Sequence, residues 1–565
     1  MYNVLDLFAG AGGLSNGFEQ TGQFQVKVAI EKDLNARKTL NYNHQNIKFF
    51  SDIIQIDYND ANGELLPCFK DIDIVIGGPP CQGFSNANRQ RNTLISGNNY
   101  LIKEYLRAVE EIDPLAIVME NVRTMESEKH KFFLSDNNRE ELDDLAILRK
   151  EETIEIGTKN VLTQDVLVFT DKMVSNEIDR IADVILPSNI FSKLNTLQNK
   201  MNISMSKAEE YIVNPNNKKF FNNLIDSWES QHKYYMSTKY QTLWNDTLKN
   251  DLTAFLNENS GMHNLIESLS PIIETQKVLR KYKEVLDHKI VHEPLFIEKN
   301  SLCINLQSYN VFDYVKTKLN HLGYELNHDQ YIFNAAKYGV PQFRNRLILI
   351  GVKREKLSLN KVSTPAPLVD NEQDYFTIYD AIGDLDSIEP NINVKDDKIR
   401  KSMAPLRNNP LSLYLNAESD MIYNHVRTNS TKVALERFKK LKQGDNFHNL
   451  SKDLKSTYTD HTRTQNTVYK RLRYNKPSET VINVRKSMWI HPTNDRALSI
   501  REAARLQSFP DTYKFFGNKD SQYQQVGNAV PPLLARAIAE SLLVSLGNKV
   551  NNPLRDLFDK ISLNV

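Results

Sequence analysis

Cysteine is scarce: three in 565 residues, Cys68, Cys81 and Cys303, far apart and with no CxxC spacing. A disulfide framework and a cysteine-ligated zinc site are thereby excluded, and a reduced, cytoplasmic setting is expected. Long apolar runs are missing too. Nothing approaches the ~18 consecutive apolar residues of a membrane-spanning helix. The chain opens on a strand-like stretch, Val4-Leu5-Asp6-Leu7-Phe8, with no export signal before it. No membrane partner is expected. The net charge is only +1, so the total does not announce a polyanionic ligand. Neither GxGxxG nor the Lys-Ser/Thr ending of a P-loop is present, which disfavours a nicotinamide dehydrogenase. What is left is an ordinary globular composition, 40% hydrophobic and 25% charged, over a length that suits two to four domains.

The charge is unevenly placed. Residues 425–486 hold 15 Lys and Arg against 5 Asp and Glu, a local net of +10, whereas residues 370–424 hold 5 against 11, a net of −6. Tyr458, Tyr469 and Tyr474 stand among Arg463, Lys470, Arg471 and Arg473 in the basic stretch. Basic residues interleaved with aromatics fit contact with a phosphate backbone and with base edges, and the alternative is a solvated charged face. Residues 126–299 carry 22 basic and 28 acidic residues, which argues against a second patch for a phosphate backbone there.

The chemistry concentrates where an apolar run, Ile72-Asp73-Ile74-Val75-Ile76, breaks into Gly77-Gly78-Pro79-Pro80-Cys81-Gln82-Gly83-Phe84-Ser85. Pro80 fixes its own backbone and restricts its neighbour, so Cys81 sits on a stiff loop at a strand end. A thiol so placed suits covalent catalysis. Earlier, the first strand runs into Ala9-Gly10-Ala11-Gly12-Gly13 and a helix pattern, the strand–turn–helix opening of a Rossmann-like unit. Glu31 ends the next strand, about where a ribose hydroxyl pair is held in such folds. Asp52, with Ile53 beside it, ends a third and could accept from an adenine amino group. Glu120 ends the strand after Cys81, where a carboxyl among apolar neighbours can share a proton with a ring nitrogen. Downstream, Arg344 and Arg346 stand two apart at a strand start and suit a phosphate or a ring carbonyl.

GGPPCQGFS, with DLFAGAGG before it and Glu120-Asn121-Val122 after it, strongly resembles the DNA cytosine-5 methyltransferase family, of the bacterial restriction-modification type. The match covers nearly all of 1–124, 308–352 and 490–545, and more loosely 375–485. The resemblance implies an α/β fold: a Rossmann-like S-adenosylmethionine-dependent methyltransferase domain with a smaller target-recognition domain. To these the sequence adds a large helical insertion. The expected boundaries are 1–124 and 301–352 for the catalytic domain, 125–300 for the insertion, 353–495 for target recognition and 496–565 for a return to the catalytic domain. It further implies S-adenosylmethionine contacts at Phe8, Gly10, Gly12, Glu31, Asp52, Ile53, Pro80, Leu101, Asn528 and Val530. Catalysis would fall to Cys81, Glu120, Arg344 and Arg346. DNA contacts are expected from Gln82, Ser85, Gln342, Tyr469, Arg471 and Arg473, and no metal is expected. Of the family's Asp-x-Arg-Asn-x-Leu pattern only Asn99 and Leu101 stand here. Ser499 and Glu502 form a capping box at the head of RALSIREAARLQSFPD, read as an amphipathic helix, and residues 525–532 are read as opening a helix through Leu543.

The resemblance thus implies a monomeric enzyme acting on carbon 5 of a cytosine flipped out of double-stranded DNA, with the DNA between the two domains. High Asn, Lys and Ile usage without chromatin-like modules points to a bacterial or phage protein in the cytosol or nucleoid, guarding DNA from a cognate restriction endonuclease. Two other readings remain open. A transfer-RNA cytosine methyltransferase would lack the separate basic segment, and an inactive DNA-binding homologue would lack Cys81, Glu120 and the arginines.

Overall fold

The short apolar runs of the first 124 residues become parallel strands. β1 (Tyr2–Leu7), β2 (Phe24–Ile30), β3 (Lys48–Phe50), β4 (Ile74–Gly77) and β5 (Ala116–Val122) lie in the order 3-2-1-4-5. Three later strands, β6 (Tyr324–Leu326), β7 (Ile332–Asn334) and β8 (Asn345–Lys353), complete the sheet antiparallel, β8 on β5 and the other two on β8. Val4, Leu5, Ile74, Val75, Ile76, Ile117 and Val118 are fully buried, as strands covered on both faces require. From β1 the chain steps first to β2 and β3 on one side, then to β4 and β5 on the other. That reversal opens a crevice at the carboxyl ends of β1 and β4, the place where open α/β sheets take ligands.

A computed structural model describes the chain apart from residues 81–99, 129, 159–161, 174–177, 231–235, 259–260, 397, 401–408, 417–419, 459–463 and 564–565. It divides into two units, one of Met1–Cys81, Asn98–Ser127 and Val315–Val565, the other built on Glu128–Tyr314. In the first unit the helix Gly13–Glu19 packs on the helix Pro532–Ser545 so closely that a Cβ on Gly13 would fall 2.1 Å from the Val530 carbonyl oxygen. Residues 525–532 do not open one continuous helix. Gln525 to Asn528 close the helix Lys519–Asn528, Ala529 to Pro531 are extended, and Pro532 starts the next. Prolines lack the N–H that would carry the first helix on, and one suits a helix start.

Residues 353–495 hold a small core of their own around Phe438, Phe447 and Tyr469. Yet Leu472, Val481, Val484 and Trp489 join the main core, so the stretch belongs to the first unit. The second unit is not purely helical. Lys131–Phe133, Lys150–Thr158, Phe296–Glu298 and Ser301–Asn310 form a four-stranded sheet, with Ser301–Asn310 pairing to all three others. That pairing carries the unit past residue 300. Its longest helix, Met262–Asp287, joins a core in which Trp228 and Trp244 stack at 4.4 Å between ring centroids. Among the described residues no helix is long and apolar enough to cross a membrane.

Candidate active site

The turn after β1 is built from left-handed backbone. Phe8, Gly10 and Gly12 have φ of 58°, 56° and 79°, a conformation costly for a residue with a side chain and natural for glycine. A Cβ on Gly10 would meet nothing nearer than the Phe8 carbonyl at 4.0 Å, so that face of the turn is open. Glu31 ties the turn to the end of β2. Its Oε2 accepts the Gly10 N–H at 2.8 Å and its Oε1 the Asp33 N–H at 2.7 Å. Burial raises the Glu31 carboxyl, and those two N–H groups oppose the rise. Each oxygen keeps a lone pair for a ligand hydroxyl.

Asp52 caps the turn Ile53–Gln55 by accepting the Ile54 N–H, and it pairs with Lys32 at 3.0 Å. The Lys32 ammonium lowers its carboxyl. Ile53 is buried, Val530 lies against Gly13, and Pro80 and Leu101 are half-buried. Asn528 is exposed and accepts from Gln524 at 2.7 Å. Another residue here carries no motif signal. Asp6, inside β1, is buried beneath the turn and accepts the Ser15 hydroxyl at 2.5 Å. Burial pushes its carboxyl up to about 7, against the Ser15 bond and aided by the charges of Glu31 and Glu19.

The second cluster lies at the ends of β4, β5 and β8. A Cβ on Gly77 would fall 2.5 Å from the Leu7 carbonyl oxygen, and one on Gly78 would fall 2.8 Å from Glu120 Oε2. Gly77 is therefore required by the backbone of the neighbouring strand, and Gly78 leaves room for the Glu120 carboxyl. Asn121 donates to the Pro79 carbonyl at 3.1 Å, which pins the Pro-Pro corner, a role no motif signals. Glu120 pairs in register with Ile348, two residues from Arg346. The two charged side chains thus share a face, and Arg346 Nε meets Glu120 Oε1 at 2.7 Å with each side chain 14% exposed. Burial lowers the Arg346 guanidinium and Glu120 restores part of the loss. Cys81, Gln82 and Ser85 lie outside the described residues.

Arg344 does not share the Glu120 partner of Arg346. It is buried, with Nη1 donating to the Val481 carbonyl at 3.0 Å and Nη2 to that of Gly527 at 3.1 Å. Burial, then the charge of Arg346, pulls its pKa well below the usual guanidinium value. Gln342 shares this hub: it donates to the Leu506 carbonyl and to Gln507, and accepts the Val481 N–H at 2.7 Å. It is fully buried, with both its amide atoms engaged inside the protein.

The same correction applies to two of the basic segment's candidates. Arg471 donates to the carbonyls of His491 and Phe438 at 3.0 and 2.7 Å and pairs with Asp495. Tyr469 is 2% exposed and its hydroxyl accepts from Arg437 at 2.7 Å. Both hold the small core together. Arg473, two residues on, is exposed and stays a candidate for DNA. Ser499 and Glu502 do form the capping box of the helix Ile500–Leu506, but the helix has no solvent face. Arg496 pairs with Glu502, and Arg505 with Asp384 and Asp511, all buried. Burial alone would raise the Glu502 carboxyl; Arg496 overrules it and holds the group well below its ordinary value.

The family described as C-5 cytosine-specific DNA methylase matches residues 2–146 and 294–544, more than half of the chain. The type II methyltransferase M.DdeI of Desulfomicrobium norvegicum is 25% identical over 559 residues, covering 96% of this chain and 88% of its own. M.AgeI of Thalassovita gelatinovora is 26% identical over 549 residues, covering 96% and 99%. Among solved structures, a DNA modification methyltransferase encoded within an E. coli prophage has a TM-score of 0.51 at 19% identity, covering 97% of this chain and all of that one; that likeness is one of fold. The chain belongs to the C-5 cytosine-specific DNA methylases.

Proposed function

We propose that this DNA methyltransferase acts through a transient covalent bond between Cys81 and carbon 6 of a cytosine swung out of a specific duplex sequence, and that it shields host DNA from a partner endonuclease. The observation that carries the reading is Glu120, seated against Gly78 three residues before Cys81 and gripped by Arg346. S-adenosylmethionine, when bound, supplies an electrophilic methyl group; Phe8, Gly10, Glu31, Asp52, Ile53 and Val530 would hold it around the open turn after β1.

Carbon 5 of cytosine is a weak nucleophile inside an aromatic ring. The Cys81 thiolate gives an electron pair to carbon 6, and the ring electrons move toward the ring nitrogen, where Glu120 shares its proton. Arg346 fixes the Glu120 carboxyl for that exchange. The ring is then an enamine, nucleophilic at carbon 5. Once carbon 5 is substituted, a base removes its proton, the electron pair re-forms the ring double bond, and Cys81 leaves as thiolate. None of these approaches is open in a stacked base, so the cytosine must leave the duplex.

A duplex with 5-fluorocytosine at the target tests the reading, because fluorine cannot leave as a cation and the adduct persists. With donor present, the wild-type chain should give a denaturant-stable protein–DNA adduct, and Cys81→Ala none. An adduct of equal yield from Cys81→Ala would contradict the assignment.

A further inference from the structure

Beneath the turn after β1 runs a buried chain of polar groups that the reaction does not use. Tyr513, from the segment behind the helix Ile500–Leu506, donates its hydroxyl proton to the Ala11 carbonyl at 2.5 Å. His44 Nε2 meets the same hydroxyl at 3.0 Å, and His44 Nδ1 meets Glu19 Oε2 at 2.6 Å. Glu19 is anchored in turn, its Oε1 accepting the Val26 N–H at 3.0 Å. Tyr513 and His44 are each 3% exposed. The phenol's one proton goes to the carbonyl, which can only accept, and the His44 ring bridges the phenolic oxygen and the Glu19 carboxylate. Gly12 has left-handed backbone, and a Cβ there would also crowd Leu40 at 2.6 Å, the Tyr513 hydroxyl at 2.7 Å and His44 Nε2 at 2.9 Å. The far end of the chain is equally fixed. Arg501 donates to the carbonyls of Tyr513, Pro510 and Tyr423, the latter two at 2.7 Å.

We propose that Tyr513 is a positioning residue for the methyl donor: its hydroxyl sets the Ala11 peptide, and with it the open Gly10–Gly12 turn, while the Glu19–His44 pair holds that hydroxyl on target. The proposal rests on the reading of this turn as the donor site. Burial, with Glu19 and Asp6 nearby, keeps the phenol protonated and able to donate. A buried hydroxyl aimed at one peptide of a ligand loop lowers the number of conformations the loop must give up on binding.

The test is calorimetric titration of the full chain with S-adenosylhomocysteine, beside steady-state kinetics, for wild type, Tyr513→Phe and Glu19→Gln. Tyr513→Phe should weaken binding roughly three- to tenfold, the range of one lost hydrogen bond, and raise the donor KM alike. The DNA KM, and kcat at saturating donor, should stay near wild type. Glu19→Gln, which leaves the tyrosine in place, should shift in the same direction by less. Unchanged donor affinity in Tyr513→Phe overturns the proposal. So does a fall in kcat and both affinities that follows the melting temperature, the mark of a merely structural residue. Failure of the wild-type chain to bind the ligand would instead remove the donor site itself.

Discussion

The turns at the ends of β1 to β5 and the basic segment of residues 425–486 obey different rules. At the strand ends, the turns at Gly10 and Gly78 and the carboxylates of Glu31 and Glu120 come to one rim because the parallel strands that carry them all end there. In the basic segment, charge alone does not say which way a side chain faces. Arg471 is an internal strut and Arg473 an exposed candidate, two residues apart in one run. Arg344 and Arg346 repeat the contrast, one spent on the Val481 and Gly527 carbonyls, the other on Glu120. A guanidinium with five donors satisfies stray backbone carbonyls as readily as it binds a ligand.

The contrast breaks most visibly at Glu120. Glu120→Gln should lower kcat roughly 10²- to 10⁴-fold, the usual worth of a positioned proton donor, with DNA and donor affinities retained; loss of both affinities would make Glu120 a framework residue. Next comes the arginine pair. Arg344→Ala leaves two buried carbonyls unmet and should cost about 3 kcal/mol of stability, read by denaturant unfolding. Arg346→Lys should leave unfolding near wild type and reduce turnover. Equal instability in both variants would erase the distinction.

A pH experiment probes the floor of the donor turn. The folded-state pKa of Asp6 is raised from 3.8 to about 7, so its contribution to stability is full below about pH 4 and is lost as the pH rises through 7. Asp6→Asn should lack that loss, and its melting temperature should gain on wild type between pH 5 and pH 8. A constant difference would mean Asp6 does not titrate in that window. The smallest effect separates Arg473 from Arg471. Arg473→Ala should reduce the slope of log Kd against log salt by about 1 with no change in melting, and Arg471→Ala should lower the melting temperature.

Periodicity and turn chemistry made the parallel strands legible, because apolar runs that short between glycine turns have few other fates. They could not disclose the sheet of the second unit. There Ile154 and Ile156 alternate with charged residues in Lys150–Thr158, and a long-range partner, Ser301–Asn310, decides the outcome. The motif residues Gly10, Glu31, Gly78 and Glu120 were legible as a set, while Asn121, Asp6 and Tyr513 were not. Asn121 and Tyr513 act through backbone carbonyls far off in the chain, and Asp6 through the buried hydroxyl of Ser15 beneath the turn. The helix Ile500–Leu506 shows the converse: its capping box was plain, but only packing reveals that Arg501 and Arg505 are enclosed.

Bisulfite sequencing of plasmid DNA from cells expressing the chain, beside a Cys81→Ala control, tests the central claim most directly. The account predicts protected cytosines in one short recurring sequence, present with the wild-type chain and absent with the variant. Protection that persists in the Cys81→Ala control, or none in either, would contradict it.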